Sequence, residues 1–251
     1  MPMRTQRGGG LGLAALLRTR WVGRIRNDRS LDVGGRAAKD DAAMRIVLAA
    51  TLRAASNCID VGAHKGAVLA SMARLAPQGR HLAFEPIPAL AARLRESFPS
   101  VDVREMALAD RSGRSSFTVV ANDQGYSGLR PRSYPFDAVT EDIQVDVGRL
   151  DDCVPDGYVP TLIKIDVEGG EAGVLRGGFG TISTHRPTIL FEHGVGAAEH
   201  YGTTPGEVFK LLDECCLRIF DSDGLGPYSE TDFVASFDRP MWNWIAAPAD
   251  P

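Results

Sequence analysis

The chain has 251 residues, is 44% hydrophobic and 24% charged, and carries 28 Lys+Arg against 32 Asp+Glu for a net charge of −4. That composition belongs to a globular protein and excludes a disordered or collagen-like chain. No apolar run reaches the ~18–20 residues of a membrane span, no Cys-x-x-Cys pair exists among the four cysteines, and the acidic body argues against a nucleic-acid partner.

The charge is unevenly placed. Met1–Ser30 holds seven arginines and one acid, Asp28, so this arm carries +6 and the remainder −10. Within it Leu13, Leu17, Trp21 and Ile25 recur at helical spacing. The pattern suits an amphipathic helix on the domain edge, an interfacial helix on an anionic membrane, or an Arg-rich targeting segment. We read residues 1–41 as this basic arm and 42–251 as one domain. The cysteines read as reduced thiols of a cytoplasmic protein, with peripheral membrane contact through the arm as an alternative. Nothing in the sequence fixes an oligomeric state.

From Ala42 onward short apolar runs alternate with helical patterns. Ala42–Ala54 is predicted helical, with Met44, Val47, Leu48 and Leu52 on one face. Asn57–Val61 reads as a buried strand, followed by the turn Gly62-Ala63-His64-Lys65-Gly66 and a helix. His81–Glu85 is a second strand, Ala89–Phe98 a helix and Val101–Ala107 a third strand. This is the first half of a doubly wound, mostly parallel sheet. Ser115–Val120 and Ile143–Val147 then alternate like an antiparallel hairpin. The polar stretch Asn122–Asp142 between them is long enough to be a lid or substrate loop. The parallel pattern resumes with the strand Thr161–Asp166, a helix over Glu171–Ile182 and the strand Thr188–Glu192. Thr204-Pro205-Gly206-Glu207 is a capping box that opens a helix. Leu217–Asp221 and an antiparallel Trp244–Ala247 complete the strands.

In such sheets ligands bind beyond the carboxyl ends of the strands. An acid stands at four of those ends: Asp60, Glu85, Asp166 and Glu192. Charged groups ending apolar strands are costly unless paired or wetted by a ligand site. The turn after Asp60 reads Gly-x-x-x-Gly, not the Gly-x-Gly-x-x-Gly of dinucleotide enzymes. Its glycines, Gly62 and Gly66, suggest close backbone approach to a ligand. A nearby acid disfavours a pyrophosphate and suits a ligand carrying an amine and a sulfonium, such as S-adenosyl-L-methionine. Glu85, 25 residues later at the next strand end, is placed to bridge two ribose hydroxyls.

These stretches resemble the FkbM-type methyltransferases. The matching pieces are Ile59–Gly66 (IDVGAHKG), Ala83–Pro88 (AFEPIP), Ala107–Gly113 (ALADRSG), Val147–Asp152 (VGRLDD), Thr161–Gly170 (TLIKIDVEGG) with Glu171, Pro187–Glu192 (PTILFE) and Asn243–Pro248 (NWIAAP). The resemblance implies a class I, Rossmann-like methyltransferase fold with S-adenosyl-L-methionine as cofactor. It implies O-methyl transfer to a saccharide, glycolipid or polyketide-type acceptor. It places Asp60, Gly62, His64 and Gly66 around the methionine end, Glu85 on the ribose, residues near Ala107 beside the adenine and Asp166 beside the sulfonium. The family usually has Asn where His64 and Met106 stand, and an aliphatic residue where Lys65 stands.

An alcohol acceptor needs a base or a metal to become a nucleophile. Asp166, Glu168, Glu192 and His193 are the candidates, with Asp166 and His193 expected to flank the acceptor hydroxyl. Glu168 and Glu171 could instead cap the following helix. Asp166, Glu192 and His193 could alternatively hold a divalent metal. A nucleotide-dependent oxidoreductase and a non-catalytic S-adenosyl-L-methionine-binding module are the rival readings of the whole chain.

Overall fold

A computed structural model describes residues 33–239 and 242–248. The basic arm, up to residue 32, lies outside the described residues. Helix α1 spans Val33–Thr51 and crosses the boundary expected at residue 41. Val47 and Leu48 bury its inner face, as the apolar spacing requires, and Leu52 is buried just beyond its end. Among the described residues no helix is long and apolar enough to cross a membrane.

The chain then alternates as the sequence predicts. Strand β1 is Asn57–Val61, α2 Ala67–Leu75, β2 His81–Phe84 and α3 Pro88–Ser97. The expected third strand divides. β3 is only Asp102–Arg104, and Ala107–Leu108 forms β4 in a different sheet. After Glu105 the chain leaves the main sheet, and the apolar pair Ala107–Leu108 finds buried partners in Val147 and Gly148. β5 (Gly113–Val120) and β6 (Thr140–Gly148) form the antiparallel hairpin. α4 (Leu150–Cys153) leads to β7, Pro160–Ile165.

The single helix expected over Glu171–Ile182 is two, α5 (Glu171–Gly177) and α6 (Phe179–His185). Gly177 sits so close to the Ala109 carbonyl that a Cβ there would come within 2.0 Å of its oxygen. β8 is Thr188–Glu192. α7, Pro205–Glu214, starts as its capping residues require, with Thr204 Oγ1 accepting from the Glu207 N–H. β9 (Leu217–Asp221), α8 (Glu230–Ala235) and β10 (Asn243–Pro248) follow.

The main sheet has the order β3-β2-β1-β7-β8-β10-β9, parallel except for β10, which runs antiparallel to both neighbours. The fold is an α/β doubly wound sheet of the class I, Rossmann-like type, with an antiparallel last strand and a β4-β6-β5 insertion. Pleating sorts the strand residues between two cores. Ile59, Ile163, Ile189 and Phe191 pack toward α5–α8, whereas Cys58, Leu162 and Leu190 pack toward α1–α3. The switch between β1 and β7, where the order reverses direction, is where a ligand site is expected.

Candidate active site

Two adjoining clefts open at the carboxyl ends of the parallel strands. The first has a volume of about 110 Å³ and opens to solvent. Gly62, His64, Glu85, Ala107 and Asp166 line it, with an apolar wall that includes Phe84, Ile87, Leu108 and Phe117. The second, about 480 Å³, lies against Tyr126, Arg132, Glu192, His193 and the turn after β8. Glu168 is the one acidic residue lining both.

Glu85 is 3% exposed, and backbone fixes both of its oxygens. Oε2 accepts from the His64 N–H at 2.7 Å and Oε1 from the Ile87 N–H at 2.9 Å. Burial pushes this carboxyl above its ordinary pKa, while the two N–H groups oppose the shift. Each oxygen retains capacity to accept a further donor from the cleft. His64 holds a left-handed backbone, φ 51°, and its Nε2 is buried without a hydrogen-bond partner among the described residues.

The two glycines of the turn differ in what they face. Both have positive φ, as a turn of this shape demands. A Cβ on Gly62 would fall 1.9 Å from the Asp166 carbonyl oxygen, and one on Gly66 2.7 Å from Leu94 Cδ2. Their small size serves packing against β7 and α3. Only Gly62 lines the cleft; Gly66 does not.

Asp60 also lies outside the lining. It is fully buried beneath the turn, on the same face of the sheet as Lys164, its register partner. Lys164 Nζ is 3.5 Å from Asp60 Oδ1 and 3.2 Å from Asp166 Oδ2, and it donates to the Gly62 carbonyl at 2.7 Å. Burial works against the ammonium, but Asp166 and Asp60 outweigh it and hold the pKa above the lysine range. Lys164 was not among the expected site residues. Its signal was there to read: a lone lysine inside the apolar strand Thr-Leu-Ile-Lys-Ile.

Asp166, Glu168 and Glu192 converge, each offering a carboxylate oxygen within 4.8 Å of the others. Glu168 pairs with Arg132 of the long loop at 2.8 Å, and the Arg132 guanidinium lies 4.6 Å from the Tyr126 ring centroid. Burial, with Asp166 nearby, pushes the Glu168 carboxyl up to about 8. Glu192 is raised in the same direction, first by burial and then by Asp166, Glu168 and Glu171. Glu168 has φ 60° and makes no helix cap. Glu171 does the bracing: its Oε1 accepts from the N–H groups of Val167 and Gly169 at 3.1 and 3.0 Å.

His193 corrects the expected pairing with Asp166. It follows Glu192, so the pleat turns it to the opposite face of the sheet. There its ring sits 6.1 Å from Phe233 and 5.2 Å from Phe237, and burial lowers its pKa to about 4. The converging group therefore contains Glu168 in place of His193. A cation held by Asp166, Glu168 and Glu192 would have oxygen donors alone, a set suited to Mg²⁺ or Ca²⁺. Loop residues from Gln124 to Leu129 reach the first cleft, and Tyr126, Arg132, Ser133 and Pro135 reach the second. The stretch expected to be a substrate loop thus borders both.

Comparison with known proteins bears on the family and the fold. A family model described as the methyltransferase FkbM domain matches residues 60–219. The 2-O-methyltransferase NoeI of Sinorhizobium fredii is 31% identical over 144 residues, 51% of this chain and 59% of that protein. Methyltransferase 1 of Beauveria bassiana is 30% identical over 221 residues, 76% of each. Among solved structures, the methyltransferase FkbM from Methylobacillus flagellatus has a TM-score of 0.50 at 20% identity, covering 78% of this chain and 44% of that one. This chain thus spans less than two thirds of NoeI and of the solved chain.

Proposed function

The chain belongs to the FkbM methyltransferase family, and on that premise we propose that it transfers a methyl group from S-adenosyl-L-methionine to a hydroxyl of a small-molecule or glycolipid acceptor. The observation that carries this reading is the meeting of two clefts at Glu168. One cleft suits a nucleoside and the other has room for an acceptor.

The donor set of the first cleft fits the cofactor. Glu85 offers a fixed carboxylate to a ribose, and Phe84, Ile87, Ala107 and Leu108 give an apolar wall for an adenine. His64 Nε2 is a buried polar atom in need of a partner, and Gly62 leaves the turn without a side chain. Asp166 would face the cationic end. When bound, S-adenosyl-L-methionine supplies an electrophilic methyl group on a good leaving group.

The protein's part is to position the acceptor and accept its proton. Alignment alone contributes up to ~7–11 kcal/mol in favourable cases. Glu168 is the base in this reading, because it alone among the acids borders both clefts. Burial raises its affinity for a proton, and the paired Arg132 restrains that rise. The loop that carries Arg132 borders both clefts, where it would limit access of water. Asp60 and Lys164 support the turn from below without touching the acceptor. Lys164 and Arg132 already place cations beside Asp166 and Glu168. Activity is therefore expected to survive EDTA.

Calorimetry with S-adenosyl-L-methionine, S-adenosylhomocysteine and NAD tests this. The first two should bind and NAD should not. Glu85→Ala should weaken S-adenosylhomocysteine by roughly 10–100-fold, the worth of hydrogen bonds to a charged group. Unchanged affinity in that variant, or preference for NAD, would overturn the proposal.

A further inference from the structure

This inference rests on Glu168 acting as the base, and it concerns what holds that residue and its cation in place. The two partners come from different parts of the chain. Glu168 stands in the turn after β7, and Arg132 in the long loop between β5 and β6. Both segments meet at one side chain, Tyr201.

Tyr201 ends the 3-10 turn Ala198–Tyr201 that follows β8, and it lines the first cleft. Its ring lies against the two glycines that come after Glu168. A Cβ on Gly169 would fall 3.0 Å from Tyr201 Cδ2, and one on Gly170 3.2 Å from Cε1. Gly169 is closed in further by the Ala197 carbonyl, whose oxygen would stand 2.5 Å from such a Cβ. Its φ of 105° is one that glycine alone adopts readily. The turn that carries the base is therefore bare where the ring rests.

The hydroxyl faces the loop. Tyr201 Oη accepts from the Arg130 N–H at 3.2 Å, and a Cβ on Gly128 would fall 3.0 Å from it. Gly128 is held in turn by Thr118 of β5, through two backbone hydrogen bonds of 2.9 and 3.1 Å. From Arg130 only Pro131, with its fixed φ, separates this anchor from Arg132. Arg132 then reaches Glu168 at 2.8 Å, and its Nε is buried without a hydrogen-bond partner among the described residues.

The ring thus bears on the residue after the base, and the hydroxyl holds the residue two before its cation. One side chain spans the gap between the backbones of the two partners. An ion pair of long side chains loses most of its worth when its ends move freely, because ordering them costs entropy. A base displaced by an ångström from the junction of the clefts also loses its alignment with the acceptor.

We infer that Tyr201 is a positioning residue for methyl transfer, which latches the long loop to the turn after β7 and so keeps the Arg132–Glu168 pair at the junction of the two clefts. NMR of the full chain, labelled with ¹⁵N-arginine, reads this through the Arg132 Nε–Hε signal, assigned with Arg132→Lys. In the wild type the buried Hε should exchange slowly with water. Tyr201→Phe keeps the ring and removes the hydroxyl. It should speed Arg132 Hε exchange roughly three- to tenfold, the worth of one hydrogen bond. The Arg104 signal should stay unchanged, since Asp102 and the Cys153 carbonyl hold that side chain at the β3 edge of the sheet. Glu168→Gln should also speed Arg132 exchange, and by less once Tyr201→Phe is present, because both changes act on one pair.

Unchanged Arg132 exchange in Tyr201→Phe, an equal rise at Arg104, or independent effects of Tyr201→Phe and Glu168→Gln would overturn the inference. If Tyr201→Phe does not fold, Gly128→Ala, which presses on the hydroxyl from the loop side, decides the matter by the same criteria. Failure of the wild-type chain to bind S-adenosylhomocysteine would instead strike the proposed function and leave the exchange at Arg132 readable.

Discussion

Lys164 places its ammonium 3.2 Å from Asp166 and 3.5 Å from Asp60, inside a strand that is otherwise apolar. One buried cation thereby joins the ends of β1 and β7, the two strands that flank the reversal of sheet order. Asp60 does not reach the cleft. Its influence on a ligand passes through Lys164 and the Gly62 carbonyl that Lys164 holds.

Lys164→Met should therefore destabilise the fold by about 3–5 kcal/mol, the cost of stranding a buried charge partner. Asp60→Asn in the same chain should restore part of that loss. Urea unfolding of the single and double variants measures both. A single variant as stable as wild type would show that the ion pair contributes nothing.

Glu168, as base, must be ionised to work, and its pKa stands near 8. The ratio kcat/KM should therefore rise with pH through about 8 and level off above it. Glu168→Gln should lose about 10²–10⁴-fold in kcat, with S-adenosylhomocysteine affinity little changed. A wild-type profile flat from pH 6 to 9 would remove Glu168 from this role.

Glu171 ties down the loop after β7 through two backbone N–H groups. Glu171→Ala strands both and should cost about 2–4 kcal/mol. Glu171→Gln keeps an acceptor oxygen and should cost less. Burial raises the Glu171 pKa from 4.5 to about 7. Its folded form thus binds the proton more tightly than the unfolded chain. That stabilisation is fully present below about pH 4.5 and lost as pH rises through 7. Thermal unfolding of Glu171→Gln between pH 5 and 8 should show a flatter dependence than wild type.

His193 works in the opposite direction. Burial holds its pKa at about 4 against 6.5 for an exposed histidine, so the unfolded chain binds the proton first. Stability is then lost as pH falls from about 6.5 toward 4, by an amount on the order of 3 kcal/mol. His193→Phe should remove most of that acid sensitivity. Acid unfolding curves for the two proteins would be superimposable if the ring were solvated in the native state.

Much of the fold was legible because strand and helix periods are local properties. β1, β8 and β9 fall at their expected residues, and the capping box at Thr204 opens α7 where predicted. The third strand and the helix after β7 depart from the local pattern for a non-local reason. Ala107–Leu108 chooses the insertion sheet because its partners, Val147 and Gly148, lie forty residues on. The break before Phe179 falls where Gly177 presses on the Ala109 carbonyl. The site shows the same division. A row of strand-end acids was readable from spacing, whereas the partner of each was not.

The uneven charge of the chain was likewise plain in the sequence: a basic arm and an acidic body. Order along the chain determined that Asp60, Glu85, Asp166 and Glu192 would gather at one edge of a sheet. Only the tertiary structure decided their surroundings. Register put Lys164 beside Asp60 and buried both, and backbone donors fixed Glu85. The pleat turned His193 away from the carboxylates, while the long loop brought Arg132 to Glu168. Strand periodicity is written in neighbouring residues, but the solvation and pairing of a charge depend on groups brought together from distant parts of the chain.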